Sequence, residues 1–394
     1  MKANIIFDFD GVIINSHKTK TEAFQKIFLN FGKQTGYRSK MFHLDNIGKS
    51  RYFKFKYIYK HFIKKKINKK IMKKIFYGKA VYDNKEIAAV LKVLKKNSLS
   101  LIDGPNVKNL EKKVSNSFGK KFGLMVNSGS SANLLALSSY NFKPGSEVIT
   151  PNLTFSTTVA PIYQLGLIPH FIGVEENKFL ANLSDLEKSI NKKTVAIMIP
   201  NLLGNVCDWK RIYNIAKKYK LKVIEDSADT IGYKFKNKNL GKYSDISTNS
   251  FYASHIINGA GSGGIVCFND YNNYKRAKLL RGWGRSSATF NESENINKRF
   301  NIKIQGIDYD AKYVFSDLGY NFLPSEVSAA FALEQLKKLD KNILLRRRNF
   351  KILKNFFSNY PDLVKIPDET KSLKTAWLAF PLVIKKNKIF SRKE

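Results

Sequence analysis

Three short segments of the sequence carry residue types that together suit one cofactor. Asn127–Asn133 reads Asn-Ser-Gly-Ser-Ser-Ala-Asn and leads into a helix pattern, with Ser130 and Ser131 in its first turn. Free backbone N–H groups at such a helix start bind phosphate. Asp226 follows a second apolar run, and Phe155 follows a third, where an aromatic ring can stack on a planar ligand. A phosphate cradle, a stacking ring and an acid that keeps a pyridine nitrogen protonated indicate pyridoxal phosphate.

Proteins that use this cofactor for amino transfer hold it on a lysine, and the segment where that lysine is expected has none. The segment from Ser250 to Gly264 reads Ser-Phe-Tyr-Ala-Ser-His-Ile-Ile-Asn-Gly-Ala-Gly-Ser-Gly-Gly. A histidine cannot form the covalent link that a lysine makes, but an imidazole titrates near neutral pH and can take up a proton. His255 is therefore the candidate base. A structural histidine in a protein without activity is the alternative.

A second pair of acids lies near the start of the chain. Asp8 and Asp10 stand one residue apart after an apolar run and before Gly11. A nucleophilic carboxylate next to an acid and a magnesium ion suits phosphoryl transfer. The pattern resembles the first motif of haloacid dehalogenase (HAD)-type phosphatases, in which Asp8 would attack phosphorus and Asp10 would handle the leaving-group proton. Residues 15–75 lack a complete set of that family's other residues, so we predict a HAD-like fragment without phosphatase activity, with an ordinary strand and turn as the alternative.

The elements that must position the first set of residues alternate between strand and helix. Strands are predicted over 122–126, 147–150, 167–174, 194–200 and 221–225, and helices over 130–139, 154–164, 183–190 and 208–219. Repeated β-α units indicate a mostly parallel sheet covered by helices. Ligands of such sheets bind outside the carboxyl ends of the strands. Asn127, Phe155 and Asp226 all follow predicted strands.

Residues 76–394 resemble the sugar-modifying DegT/DnrJ/EryC1/StrS aminotransferase family, whose fold is that of aspartate aminotransferase (pyridoxal phosphate fold type I). The landmarks, in the expected order, are Asn127–Asn133, Glu225-Asp226, Ser250–Gly264 and Leu318-Gly319-Tyr320-Asn321. The resemblance implies an α/β fold with a mostly parallel sheet in a large domain and a partial small C-terminal domain. We therefore predict a HAD-like fragment at 1–75, the large domain at 76–340 and the partial small domain at 341–394.

Ordinary members of this family carry a lysine where this chain has His255, and the exchange resembles the nucleotide-sugar 3-dehydratase branch. The resemblance implies that the cofactor stays as pyridoxamine phosphate and that His255 removes a proton from its C4′ carbon. The C3 hydroxyl of a nucleotide-linked 4-keto-6-deoxyhexose would then leave, and L-glutamate would restore the amine form. One member of the branch holds an iron–sulfur cluster on four cysteines. This chain has Ser286 and Ser287 where two of them lie, and Cys207 and Cys267 are its only cysteines, so no cluster is expected.

The resemblance also implies roles for the remaining residues. The cofactor-binding set would comprise Ser130, Ser131, Phe155, Asp226, Asp229, Ser250 and Asn321. Ser250 would bind the phosphate, and Asp229 matches a polar position near the phenolic oxygen. Asn321 matches an asparagine donated to the phosphate of the other subunit, which implies a homodimer with a shared active site. A sugar aminotransferase, or an inactive product of gene fusion or truncation, is the alternative.

Composition and charge are compatible with a globular enzyme. The 394 residues are 43% hydrophobic and carry a formal net charge of +38. Such a charge suits nucleic acid or an anionic membrane. The lysines are dispersed, however, as in a chain from an A/T-rich genome, and no nucleic-acid motif is recognisable, so we expect neither partner. Asp8 and Asp10 interrupt the apolar N-terminal stretch, so we do not expect a signal peptide there. No apolar run reaches the length that a membrane span needs. We therefore expect a cytoplasmic protein.

Overall fold

Two compact units make up the described part of the chain. A computed structural model describes residues 25, 28–29, 31–46, 51–63, 78–95, 101–235, 238–290, 296–370, 373 and 375–385. The described residues of 78–356 and 366–381 form the larger unit, and those of 25–63, 357–365 and 382–385 the smaller one. Asp8 and Asp10 lie outside the described residues, as does the whole of the lysine-rich stretch 64–74. The domain boundaries at 75/76 and 340/341 stay predictions.

The larger unit is built on a seven-stranded sheet. Its strands are β1 (Phe122–Val126), β2 (Glu147–Pro151), β3 (Ile168–Ile172), β4 (Thr194–Pro200), β5 (Lys222–Asp226), β6 (Ile246–Ser250) and β7 (Gly264–Phe268). Across the sheet they run in the order β1-β7-β6-β5-β4-β2-β3. β7 is antiparallel to both of its neighbours, and all the other pairs are parallel. This confirms the predicted α/β fold with a mostly parallel sheet.

Helices flank the strands along the chain. In the smaller unit these are α1 (Lys33–Asp45) and α2 (Arg51–His61). In the larger unit they are α3 (Asn84–Lys95), α4 (Pro105–Phe118), α5 (Gly129–Ser138), α6 (Ser156–Gln164), α7 (Leu183–Lys188), α8 (Trp209–Tyr219), α9 (Tyr271–Arg281), α10 (Ile296–Arg299) and α11 (Glu326–Lys337), followed by α12 (Leu339–Phe357). The predicted bounds of β1 and β4 match end to end. The strand predicted over 167–174 ends at Ile172, because Val174–Glu175 pairs with Leu180–Ala181 instead.

Shorter elements connect these helices and strands. One-turn 3₁₀ helices lie at Leu202–Gly204, Ser286–Thr289 and Ala311–Tyr313. Two-residue and three-residue ribbons pair Lys234–Phe235 with Lys238–Asn239, Ile302–Ile304 with Ile307–Tyr309 and, in the smaller unit, Val364–Lys365 with Val383–Ile384. Within the described residues, no helix has both the length and the apolar character to cross a membrane.

The sheet buries apolar side chains on both faces. Met125 of β1 belongs to one hydrophobic cluster, whereas its neighbours Leu124 and Val126 belong to the other. Met198 of β4 and its neighbour Ile199 divide in the same way. Side chains of a strand alternate between faces, so a strand covered on both sides must be apolar throughout. Polar residues in such strands therefore carry information about function.

The smaller unit has its own apolar centre. Phe28 and Ile58 are fully buried, and Phe42, Phe55, Phe62 and Ile63 pack against them. Phe42 also stacks on Tyr57, with ring centroids 4.2 Å apart. The aromatic residues of this stretch therefore form a packed cluster.

A buried carboxylate from a distant helix caps the start of α4. α4 begins at Pro105, and the preceding Gly104 has no side chain to cap it. Glu326 of α11 accepts hydrogen bonds from the backbone N–H of Asn106 (3.1 Å) and of Val107 (2.8 Å), and from the side-chain amide of Asn106 (2.7 Å). A helix N-terminus favours negative charge, so Glu326 joins α11 to α4.

Replacing Glu326 by glutamine should lower the melting temperature by several degrees. The substitution keeps the side-chain shape but removes the charge and one acceptor oxygen, which costs about 1–3 kcal/mol at a buried site. Scanning calorimetry measures the shift. The exposed Glu176→Gln is the matched control and should melt within about 1 °C of the wild type. Equal melting temperatures for the two variants would contradict this role for Glu326.

Candidate active site

The turn between β1 and α5 forms the first part of the site. Ser128 caps α5, because its hydroxyl oxygen accepts a hydrogen bond from the Ser131 N–H at 3.0 Å. Gly129 packs on Ser250 at the end of β6, where a Cβ on the glycine would come within 2.5 Å of the serine Cβ. Ser130 is exposed and Ser131 is half-buried in the same first turn. Hydroxyl groups and free N–H groups at a helix start form a cradle that fits a phosphate.

Two glycines pack against this turn, Gly263 just before β7 and Gly264 at its first position. The N–H of Gly263 donates to the carbonyl of Asn127 at 2.9 Å. The φ angle of Gly263 is +125°, which side chains other than glycine rarely adopt. A Cβ on Gly264 would lie 2.4 Å from the backbone of Ser128. The backbone at the start of β7 therefore packs directly against the phosphate turn, and Gly264 leaves no room there for a side chain.

Asp226, the last residue of β5, forms the second part. It is 5% exposed, and its Oδ2 accepts hydrogen bonds from Asn133 Nδ2 and Thr158 Oγ1, both at 2.8 Å. Its Oδ1 accepts from the N–H of Ala228 at 3.1 Å. Asn133 is itself fixed, because its Oδ1 accepts from Thr248 Oγ1 at 2.7 Å. Three elements therefore hold one carboxylate in place, as a partner for a protonated ring nitrogen requires.

Phe155 is connected to this carboxylate through Thr158, and Asp229 is connected to it through electrostatic repulsion. Phe155 precedes α6 and is 48% exposed, and its carbonyl accepts from the N–H of Thr158 at 3.0 Å. Asp229 accepts a hydrogen bond from the Leu203 N–H at 2.8 Å. Burial, reinforced by the nearby charge of Asp226, raises the pKa of Asp229 to about 7, although the Leu203 N–H opposes the shift. Asp229 can therefore donate or accept a proton near neutral pH.

His255 follows β6 in a turn closed by its own N–H, which donates to the carbonyl of Tyr252 at 3.0 Å. Its Nδ1 lies 3.4 Å from the carbonyl oxygen of Ser250. Burial lowers the pKa of His255 below the ordinary 6.5, although the Ser250 carbonyl and the charge of Asp226 oppose the shift. The imidazole is therefore neutral at pH 7, the form that accepts a proton.

The structure thus brings most of the predicted site residues to the carboxyl ends of the parallel strands. Asn321 lies on a neighbouring segment and is exposed. It bridges to Gly282, and the carbonyl of the next residue, Phe322, accepts from the N–H of Asn127 at 3.2 Å. Asn321 therefore stands beside the start of the phosphate turn. The roles of these residues stay predictions.

Sequence reasoning missed the residues that orient Asp226. Asn133 was part of the recognised segment but had no predicted role, and Thr158 and Thr248 were not singled out. A signal was present for Thr248, because it is a polar residue within a wholly buried strand. Thr158 follows Thr154 by four residues, and the Thr154 hydroxyl donates to that of Thr158 at 2.9 Å. Such i,i+4 pairs of hydroxyls at a helix start face the same direction.

Two family models match the chain. The model described as the DegT/DnrJ/EryC1/StrS aminotransferase family matches residues 81–394. The chain belongs to this family. The model described as haloacid dehalogenase-like hydrolase matches residues 5–104. The second match confirms the predicted resemblance around Asp8 and Asp10.

Individual relatives agree with the predicted branch. A dTDP-4-dehydro-2,6-dideoxy-D-glucose 3-dehydratase of Saccharopolyspora spinosa is 34% identical, over 79% of this chain and 69% of the relative. A GDP-4-keto-6-deoxy-D-mannose 3-dehydratase of Yersinia pseudotuberculosis is 33% identical, over 80% of this chain and 79% of the relative. A solved GDP-4-keto-6-deoxymannose-3-dehydratase with a trapped PLP-glutamate geminal diamine has a TM-score of 0.70 at 28% identity, over 80% of each chain.

The lowered pKa of His255 should be visible by NMR. In protein labelled with ¹³C at the histidine ring, we expect one signal, absent from His255→Asn, to titrate with a midpoint below 6.5. Because the folded pKa lies below the unfolded value, stability is full above about 6.5 and falls as the pH drops below it. The exposed His61 provides the control. A midpoint at or above 6.5 for the His255 signal would contradict the effect of burial.

Proposed function

We propose that this protein is a pyridoxamine phosphate-dependent enzyme that removes the C3 hydroxyl group of a nucleotide-linked 4-keto-6-deoxyhexose. The reaction would serve deoxysugar or surface-polysaccharide synthesis in the cytoplasm. The names of the 3-dehydratase relatives support the substrate class. The observation that carries the proposal is the half-buried His255, whose pKa burial lowers, in a segment, Ser250–Gly264, that holds no lysine.

Pyridoxal and pyridoxamine phosphate supply an electron sink, which lets a hydroxyl leave from the carbon beside the sugar carbonyl. Ser130, Ser131 and Ser250 would bind the phosphate of that group through their hydroxyls and the free N–H groups of α5. Asp226 would keep the ring nitrogen protonated, and the exposed ring of Phe155 would stack on the pyridine face. The hydrogen bonds from Asn133 and Thr158 hold the Asp226 carboxylate in one orientation, as this role requires.

His255 would move the proton at the C4′ carbon. A lysine would attach itself to the aldehyde form of the cofactor at this carbon, whereas an imidazole leaves the carbon free and acts only as a base. Burial keeps the imidazole unprotonated at pH 7, so no prior deprotonation is needed. Asp229, whose pKa is about 7, would contact the phenolic oxygen of the same ring.

We propose that the protein acts as a homodimer in which Asn321 binds the cofactor phosphate of the other subunit. Asn321 is exposed, and large apolar side chains nearby in the sequence are exposed with it: Tyr313 (69%), Phe315 (57%) and Leu318 (92%). Clustered apolar exposure marks surfaces that a partner covers. L-Glutamate is the proposed amine donor, since a related structure was trapped with glutamate on its cofactor.

Borohydride reduction tests the absence of a lysine link. After incubation with pyridoxal phosphate and borohydride, the intact mass of the wild-type protein should show no cofactor adduct, because His255 cannot form a reducible bond. His255→Lys is the matched positive control and should gain one adduct per chain. An adduct on the wild-type protein would contradict the proposal and favour an aminotransferase.

Product analysis tests the reaction itself. Wild-type protein with pyridoxamine phosphate and glutamate is offered dTDP-, GDP- and CDP-linked 4-keto-6-deoxyhexoses, and products are read by mass spectrometry. A product one oxygen atom lighter than the substrate supports dehydration, and His255→Asn should abolish it. An amino sugar that keeps its C3 hydroxyl would identify an aminotransferase. No turnover and no cofactor binding would indicate an inactive protein.

A further inference from the structure

Arg281, the last residue of α9, is a buried arginine whose side chain joins three separate parts of the chain. The side chain is 3% exposed, and its Nη2 lies 2.6 Å from the carboxylate of Asp103, just before α4. Its Nη1 lies 3.3 Å from Oε1 of Glu111, within α4, and donates to the carbonyl of Met125 in β1 at 2.8 Å. Charge-assisted bonds of this kind are stronger than bonds between neutral groups. One guanidinium therefore holds α4, the segment before it and β1 together.

Arg281 and Glu111 together bind both backbone groups of Met125. β1 lies at the edge of the seven-stranded sheet, where side chains can take the place of a second neighbouring strand. The N–H of Met125 donates to Oε1 of Glu111 at 2.7 Å, and its carbonyl accepts from Arg281. Gly123 lets α4 come this close, because a Cβ there would overlap the carbonyl of Glu111. Met125 stands two residues before Asn127, so these bonds fix the strand end from which the phosphate turn starts.

The backbone around Arg281 holds the segment that carries Asn321. The carbonyl of Arg281 accepts from the N–H of Phe322 at 3.0 Å, and the carbonyl of Leu280 accepts from the N–H of Tyr320 at 2.7 Å. These two bonds lie on either side of Asn321. The carbonyl of Phe322 in turn accepts from the first N–H of the phosphate turn, at 3.2 Å. The side chain of Arg281 thus fixes the origin of the phosphate turn, while its backbone fixes Asn321 beside it.

We propose that Arg281 is a positioning residue that holds the phosphate turn of its own subunit at a fixed distance from Asn321, which serves the other subunit. The inference rests on the proposed function, in which both elements bind cofactor phosphate. A guanidinium suits this role because its planar fork contacts several acceptors at once, which a lysine ammonium cannot reproduce. Without Arg281, the strand end and the Asn321 segment would shift independently, and small misplacements of binding groups are costly. Because each phosphate would use the turn of one subunit and Asn321 of the other, one substituted subunit would disturb both sites.

Hydrogen exchange of the cofactor-free protein tests this connection without any chemistry. In Arg281→Gln, peptide mass spectrometry should show faster exchange than in the wild type over both 122–131 and 318–324. Glu86→Gln is the matched control, because Glu86 is a fully buried carboxylate that lies 2.6 Å from Lys338 and joins α3 to the end of α11. That variant should lose stability without faster exchange in these two peptides. Unchanged exchange in either peptide of Arg281→Gln would overturn the inference.

Calorimetry with pyridoxamine phosphate measures the consequence for the phosphate site. Arg281→Gln should bind it roughly tenfold more weakly than the wild type does. Arg281→Lys should lie between the two, because it keeps the charge but loses the fork, and it serves in place of Arg281→Gln if that variant folds poorly. Pyridoxamine, which lacks the phosphate, should bind all three proteins equally. An equal loss for both ligands would indicate general damage to the site and would contradict a positioning role.

Mixed dimers of one wild-type and one Arg281→Gln subunit, purified through two different affinity tags, test the effect on the other subunit. If Arg281 held only its own turn, one site of the mixed dimer would keep wild-type affinity for pyridoxamine phosphate. Because Arg281 also places Asn321, we expect both sites to bind more weakly than those of the wild type. A site with full wild-type affinity would overturn the inference, and so would a monomeric wild type, in which Asn321 has no second subunit to serve.

Failure of the proposed function would look different. A wild type that binds no pyridoxamine phosphate, with the expected exchange in Arg281→Gln, would refute the proposed function and leave the connection through Arg281 standing. A wild type and an Arg281→Gln variant that bind pyridoxamine phosphate equally well would overturn the inference and leave the proposed function intact.

Discussion

The carboxylate of Asp226 is the constraint on which the active site depends. Removing a carboxylate from water costs several kcal/mol unless hydrogen bonds replace the lost solvation. Asn133 of α5, Thr158 of α6 and the N–H of Ala228 supply those bonds, and Thr248 of β6 holds Asn133. Satisfying one buried charge therefore sets where α5 and α6 begin relative to β5. The phosphate turn and Phe155 lie at those two helix starts, so the same bonds place both.

A second buried carboxylate supports the first from the other face of β5. Glu225 precedes Asp226 and accepts hydrogen bonds from Asn201 (2.9 Å), from Ser227 (2.8 Å) and from the N–H of Gly241 (2.9 Å). Burial raises the pKa of Glu225, and burial also lowers the pKa of Lys120 to about 8, while each charge opposes the shift of the other. Because neighbouring residues of a strand face opposite sides, these bonds anchor the strand end and the turn that follows. That turn carries Ala228 and Asp229.

The parts of this arrangement that sequence could predict are those set by local pattern. Uninterrupted apolar runs predicted both ends of β1 and of β4 correctly. A strand that is covered on both faces must be apolar throughout, so its limits are visible in the sequence. Asp226 and His255 were found because each is a polar residue next to such a run or in a recognisable segment. Gly173, just before the ribbon at Val174–Glu175, is a local cue that the prediction of one long strand over 167–174 ignored.

The remaining features depend on contacts between distant parts of the chain. Glu326 caps a helix that begins more than two hundred residues earlier, and nothing local to Pro105 indicates that partner. The hydrogen bond from Arg346 of α12 to the carbonyl of Leu378 likewise joins two distant segments, and Leu378 in turn donates to the carbonyl of Leu203. No spacing rule connects such residues, since their distance in sequence is set by the intervening elements. The antiparallel direction of β7 is likewise a feature of the folded sheet, in which β7 lies between β1 and β6 and both of these strands run the other way.

Histidine at position 255 changes how the rest of the site must work. A lysine tethers the cofactor covalently, so other contacts need only orient it. Without the tether, occupancy depends on the ratio of free cofactor to its dissociation constant. The phosphate turn, the aimed carboxylate of Asp226 and the exposed ring of Phe155 would then have to supply all of the affinity. The tightly satisfied network around Asp226 is consistent with that demand, because a rigid site loses less entropy on binding than one that must be ordered. An untethered cofactor would also be free to leave or to be converted between turnovers.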